Sequence, residues 1–539
     1  METKMDLTKL VERLQKHPRQ NVILSYEDGQ TVQRTHADVH RDVKGACVLL
    51  RTWGVEPGMR VGIRAPNCYQ WLIYDLALIE LRAISVAFTD DFADKTAREL
   101  LEQYNLSLVL VPATEKVRNS DRQGAVAFID GPNSGVMAIR YAPERPDPDF
   151  TKPGLVFSSG SSGQRKGLIL NRKGIEASVD AFTQAVRPRH DDCLLLFLPI
   201  SNFQQRLMYY SALWYGFDLI VADPGKLFRA LKDLRPTMLI APPMLYETIE
   251  TRFRNLPEWK QSAAMRIGTV LGKLPFRALR KRIAQAVFRD IYEALGGRVW
   301  FLVTGMAPIK RSTLELFRAM QLPLFETYGL TEFGSISLNV PGAYKIGSVG
   351  KLLPGVNVEL APDGEIIAVR EHSIASGYFE GADSSQQTFV GTNRIATGDI
   401  GRLDEQGYLH LIGRKKEIIL TTGGEKLHPE TLESEIQACP EIAKAVVFQS
   451  ADDNALTAVI LPRKFENYEA RQKISQFIAE IGEQRPAAAI RSVVFTDTAF
   501  SRENGFLLPN LKLNRRKIAS HFSPINSIEP ELQFITRSA

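Results

Sequence analysis

Strand-like apolar runs alternate with helix-period segments through the first three hundred residues. Val39, Val43, Cys47 and Leu50 recur at four-, four- and three-residue steps, which puts them on one helical face. A Gly-Val-Glu-Pro-Gly turn follows at 54–58, then a short strand at 60–63. Residues 70–83 predict another helix, and 106–112 a buried strand ended by Pro112. The segments 193–198, 237–241 and 299–303 repeat the strand pattern. Strands separated by helices pair through crossovers rather than tight hairpins, so the pattern predicts parallel α/β sheets.

The texture changes after residue 347. Short strands and Gly turns fill 350–412, which predicts a small antiparallel β unit. From Lys416 a compact α+β pattern appears, with a helix near 429–439 and a strand at 445–448. The charged segment 413–417 is the expected major boundary. A chain of 539 residues suffices for three or four folding units. Its 44% hydrophobic and 24% charged residues exclude disordered and fibrous classes.

The net charge of +6 is uneven. Residues 416–539 hold 15 Lys+Arg and 16 Asp+Glu, so the excess lies in the first 415 residues. No basic tail of the kind that wraps nucleic acid is present, and no nucleic-acid partner is expected. The four cysteines show no C-x-x-C spacing, which points away from a zinc site or a disulfide framework. The first residues are charged and lack an apolar signal core, and no apolar run approaches membrane-spanning length. A cytoplasmic setting is the expectation.

Chemistry concentrates in a few loops. An apolar run ends in Ser158-Ser159-Gly160-Ser161-Ser162-Gly163-Gln164-Arg165-Lys166. Glycines let backbone N–H groups approach an anion, hydroxyls add donors, and Arg165 and Lys166 add charge. The order of residues is not that of a Walker A loop. Composition alone fits a flexible Gly/Ser turn equally well.

The loop resembles the phosphate-binding signature of the adenylate-forming superfamily, which includes acyl-CoA synthetases, peptide-synthetase adenylation domains and luciferases. Serines replace both usual threonines, and Arg165 replaces the usual proline. The segment Phe325-Glu-Thr-Tyr-Gly-Leu-Thr-Glu332 is similar to the family's Tyr-Gly-x-Thr-Glu motif. By that resemblance Glu332 binds Mg²⁺, Thr331 meets the α-phosphate, and Tyr328 and Gly329 lie by the adenine. Thr304-Gly305-Met306-Ala307-Pro308 resembles the adenine-side loop. Asp399 and Arg414 match the ribose-holding pair, and Lys416 the hinge residue. The loop containing Gly423 and Gly424 resembles the segment that completes the thioester-forming site. Lys512, in Leu-Lys-Leu-Asn-Arg-Arg, matches the catalytic lysine of the long-chain acyl-CoA synthetase form. A weaker match is Asn67-Cys-Tyr-Gln-Trp71. Leu198–Arg206 resembles the long-chain acyl-pocket segment, which implicates Asn202, Phe203 and Arg206; Asn202 stands where that family usually has His.

The resemblance implies an α/β fold. A body of residues 1–415 would contain two α/β subdomains and a small β-barrel unit, and a mobile α+β cap would span 416–539. It implies ATP-dependent activation of a carboxylic acid, a fatty acid by the long-chain motifs, through an acyl-adenylate. The acyl group would then pass to CoA. Alternatives are the phosphopantetheine of a separate acyl carrier protein, an amine, or a catalytically idle member that only binds. Oligomeric state is not legible. Outside these motifs, Phe276, Leu279, Ile283, Val287 and Ile291 form an apolar stripe at helical spacing, with Arg277, Arg280, Lys281, Arg282 and Arg289 between. Two readings stay open: a surface helix with its stripe in the core, or peripheral contact with an anionic membrane.

Overall fold

Cys193–Leu196 illustrates why the chain forms sheets covered on both faces. Leu194 and Leu196 enter one apolar core, while Cys193 and Leu195 enter another. Phe301–Thr304 repeats this, with Phe301 and Val303 on one side and Leu302 on the other. A strand that is apolar on both faces is stable only between two layers.

The protein is seen here as a computed structural model, described over residues 4–16, 21–27, 29–89, 92–112, 126–128, 150–159, 165–379, 386–391, 393–421, 425–450, 455–501, 503–507, 513–522 and 534–535. The larger sheet has nine strands. Six of them, Leu324–Leu330, Phe301–Thr304, Met238–Ala241, Cys193–Leu196, Asp218–Val221 and Val22–Glu27, lie side by side and run parallel. The second sheet has seven strands, including Arg60–Ile63, Ile84–Ala87, Leu108–Val111 and Gly154–Ser159, again parallel. The helices His36–Thr52, Tyr69–Glu80, Arg172–Val186 and Phe203–Tyr215 contribute to the core shared by the two sheets. Val39, Val43, Cys47 and Leu50 are buried together, as their spacing predicts. The strand predicted at 60–63 is found there, and the helix predicted at 70–83 spans Tyr69–Glu80.

The small β unit is a five-stranded antiparallel sheet whose hydrogen-bond path is open among the described residues. Arg394–Leu403 is its central strand and receives both Phe389–Gly391 and Leu409–Arg414. The strand Ala375–Tyr378 instead joins the seven-stranded sheet, pairing with Arg165–Leu170. That exchange carries a tyrosine, Tyr378, from the β region to the strand that follows the serine-rich loop. The C-terminal α+β unit has the strands Ile442–Gln449, Leu456–Pro462, Ile490–Thr496 and Phe534–Ile535. The helices Pro429–Ile436 and Tyr468–Gln484 pack on it, and Ile436, Val447, Ile460, Ile474 and Phe495 share its core. It touches the body where Lys310 Nζ donates to the Ala443 carbonyl, and where Arg463 Nη1 donates to Thr251 Oγ1 at 3.2 Å.

Candidate active site

Two paired strands flank the serine-rich loop. Gly154–Ser159 and Arg165–Leu170 pair antiparallel, with Ser158 opposite Lys166 and Ser159 opposite Arg165. Gly160, Ser161, Ser162 and Gly163 lie outside the described residues, as do Gly423, Gly424 and Lys512. Lys166 Nζ sits 4.9 Å from the ring centroid of Tyr378. The Tyr378 hydroxyl donates to Glu332 Oε1 at 3.1 Å. Burial, and next the Glu332 carboxylate, push the Tyr378 phenol well up, so it stays a neutral donor at physiological pH. One tyrosine thus ties the loop's cation to the carboxylate of a motif more than 150 residues away. Tyr378 was not among the expected site residues. A lone tyrosine after glycine in a short strand carries no periodic or motif signal.

Asp399 forms a second cluster. The register of Arg394–Leu403 against Leu409–Arg414 sets Asp399 directly opposite Arg414. Arg414 Nε lies 2.6 Å from Asp399 Oδ1, and the Tyr328 hydroxyl donates to Asp399 Oδ2 at 2.6 Å. Burial opposes the charge on Arg414 more than any single neighbour favours it, but Asp399 together with Tyr328, Glu430 and Glu417 outweighs it, and the guanidinium pKa is held above its ordinary value. Burial and the same carboxylate push the Tyr328 phenol far above its usual range. The Tyr328 ring is buried in the core of the β unit with Phe333 and Ile336. Each carboxylate oxygen keeps a further lone pair, so a ribose hydroxyl can still be accepted without breaking the pair.

Gly305 and Met306 lie at a mostly apolar pocket with about 750 Å³ of empty space, part of it open to solvent. Thr327 and Gly329 line it too, as do Gln204, Gln205 and Met208 of the helix Phe203–Tyr215. A Cβ on Gly305 would fall 2.8 Å from Thr327 Cγ2, and one on Gly329 would fall 2.4 Å from the Gly334 carbonyl oxygen. Both glycines are required by close backbone approach. Met306 has φ of +72°, the left-handed region that a side chain disfavours.

The acyl-pocket expectation needs correction at Arg206. Its side chain does not reach the pocket. It is 1% exposed and ion-paired with the equally buried Asp75, whose other oxygen accepts from Tyr209 and from Tyr210 at 2.7 Å. Trp71 and Phe203 rings lie 5.4 Å from the guanidinium. Residues one position either side of Arg206 face the cavity, and the helical turn carries Arg206 away. Phe203 is likewise buried in the core, and Asn202 caps the helix by accepting from the Gln204 N–H at 3.3 Å. Asp75→Ala is therefore expected to cost about 3–5 kcal/mol by stranding a buried cation. Thermal unfolding checks this, and Asp75→Ala with Arg206→Met should recover most of the loss. Asn67 has a positioning role instead. Its amide accepts from the Ile200 N–H and donates to the Leu198 and Ala222 carbonyls at 2.8, 2.8 and 3.1 Å, pinning the segment that starts this helix.

The segment around Lys416 is anchored on both sides. Lys415 Nζ lies 2.7 Å from both Asp363 and Glu365 of the β unit. Glu417 is held at 2.7 Å by Arg515, which also binds Glu433 of the C-terminal unit. Lys416 stands exposed between them.

Tyr378 thus joins a cation to one carboxylate, while arginine and tyrosine hold a second, buried carboxylate next to an apolar pocket, an arrangement that suits an adenylate-forming enzyme. The family model of the AMP-binding enzymes matches residues 10–379, and the chain belongs to that family. It is 26% identical over 561 residues to the long-chain-fatty-acid–CoA ligase FadD15 of Mycobacterium bovis, with 92% of each chain covered. It is 25% identical over 560 residues to the human long-chain-fatty-acid–CoA ligase 1, with 89% of this chain and 79% of that one covered. The crystal structure of ATP-bound MatB from Rhodopseudomonas palustris has the same fold, with a TM-score of 0.72 at 20% identity, covering 96% of this chain and 99% of that one. Among the described residues, no helix is long and apolar enough to cross a membrane.

Proposed function

We propose that this enzyme activates a fatty acid with ATP and passes the acyl group to the thiol of CoA. One observation carries the reading. The strand Leu324–Leu330 and the turn after it serve all three parts of the site: Thr327 and Gly329 line the pocket, Tyr328 holds Asp399, and Glu332 holds Tyr378. A carboxylate headgroup at the pocket mouth would meet the nucleotide without either crossing the sheet. The apolar lining suits an alkyl chain, and the names of the relatives support the same substrate class.

In the first step a carboxylate oxygen attacks the α-phosphorus of ATP, and the bond to pyrophosphate breaks. Lys166 and the loop 158–166 hold the polyphosphate, with Ser161, Ser162 and Arg165 as further donors. Asp399 and Arg414 hold the ribose, and Gly305, Met306 and Ala307 border the adenine. Lys512 balances the charge of the two approaching anions. Glu332 would hold the Mg²⁺ that ATP carries. No cluster of three or more His, Cys, Asp or Glu side chains suited to a metal occurs among the described residues. A single carboxylate fits Mg²⁺, which takes one or two protein ligands plus phosphates and water. In the second step the CoA sulfur attacks the acyl carbonyl and AMP leaves. Residues 1–415 form the body and 416–539 a cap that turns about Lys416 between steps, bringing Gly423 and Gly424 to the thiol.

The test supplies fatty acids with either CoA or a holo acyl carrier protein and measures pyrophosphate exchange and AMP release. Exchange that depends on the fatty acid, with thioester formed on CoA, is the expected result. Thioester on the carrier alone would move the acceptor to a protein. No exchange with a broad panel of acids would mark a binding protein without catalysis.

A further inference from the structure

Between Trp259 and Arg289 the sequence carries eight Lys and Arg residues and no Asp or Glu. The rest of the chain holds 59 basic and 61 acidic residues, so the whole positive excess resides in this stretch. It folds as two helices, Glu258–Leu271 and Arg277–Val287, and Arg280 Nη1 donates to the Gly272 carbonyl at 3.1 Å to tie them at their turn.

The apolar stripe is divided. Ile283, Val287 and Ile291 pack against the core, where Ala284 and Phe288 are buried. Phe276 and Leu279 face solvent, 68% and 48% exposed. Trp259, Ile267 and Val270 are exposed on the neighbouring helix by 69%, 40% and 60%. Their spacing of eight and three residues keeps them on one helical face. Exposed cations flank them at Lys260, Arg266, Lys273 and Arg282. Large apolar side chains grouped at a surface mark a contact, since water gains nothing from them there.

We propose that the tip of this helix pair docks on an anionic membrane surface. Lys and Arg meet the headgroups, while Val270, Phe276 and Leu279, which flank the turn, enter the interfacial layer. Nucleic acid would satisfy the same cations but leave those apolar side chains without a role. The docking is a property of this surface and stands whatever acid the enzyme activates. It would bring the enzyme to the place where lipid-like acids concentrate.

The experiment floats the full-length protein with vesicles of phosphatidylcholine alone or mixed with phosphatidylglycerol. Binding is expected only to the anionic vesicles, weakened about tenfold or more by high salt. Phe276→Ser with Leu279→Ser, and separately Lys273→Gln with Arg282→Gln, should each weaken it about fivefold or more at low salt. Pyrophosphate exchange with a water-soluble acid serves as the control for folding and should match wild type in both. Equal binding to neutral vesicles, no binding, or binding unmoved by either pair would overturn the proposal. So would tight duplex DNA binding in place of vesicle binding, unaffected by Phe276→Ser.

Discussion

Lys512→Ala is expected to lower fatty-acid-dependent ATP–pyrophosphate exchange by about a thousandfold, while thioester formation from supplied acyl-adenylate and CoA stays within a few-fold of wild type. The first step brings a carboxylate against a polyanion, and a cation aimed at the developing charge supplies several kcal/mol there. The second step starts from a mixed anhydride in which the carboxylate has lost its charge and is already joined to the phosphate, so no second carboxylate has to be brought against a polyanion and the same cation has less to stabilise. A variant with matched losses in both steps would contradict the role given to Lys512. Exchange and single-turnover thioester assays on one preparation make the comparison.

Glu332→Gln is expected to reduce the exchange rate by about 10²–10³-fold, with a steeper dependence on Mg²⁺ concentration. Gln keeps the size and can still accept from the Tyr378 hydroxyl, which is now 3.1 Å from Oε1. Only the charge is lost. Thermal stability should therefore change little. Tyr378→Phe, which removes the donor and keeps the carboxylate, should show a milder loss. Full exchange activity in Glu332→Gln would exclude Glu332 as the metal ligand.

The α/β body was legible because its signals are local. Alternating apolar runs and helical stripes state the strands and helices directly, and Arg60–Ile63 is found where the pattern puts it. The Asp399–Arg414 pair was legible for another reason, since both residues sit in recognisable motifs on adjacent strands. Tyr378 was not, because its importance comes from Ala375–Tyr378 leaving its neighbours in sequence to pair with another sheet. Arg206 shows the opposite failure. It lies in a motif that suggests a pocket, yet one helical step of 100° turns it into the core toward Asp75. The partner that decides its role is 131 residues away, and no local pattern announces it. The apolar stripe from Phe276 to Ile291 fell between the two readings because burial depends on what lies above each turn, not on spacing.

The paired anchors around Lys416 bear on accuracy at a distance. Lys415 clamps one side of the pivot to Asp363 and Glu365, and Arg515 clamps the other through Glu417. In the proposed rotation the compliance of the joint is confined to the dihedrals of about one residue. Any angular slack there is multiplied by the lever arm to the cap's far loops, where a displacement of about 1 Å can cost two orders of magnitude in rate. The two clamps act as the collars of a bearing. In that proposal they would leave the swing free while holding its axis still, so the aim of the cap would be set by ion pairs that never touch the substrate.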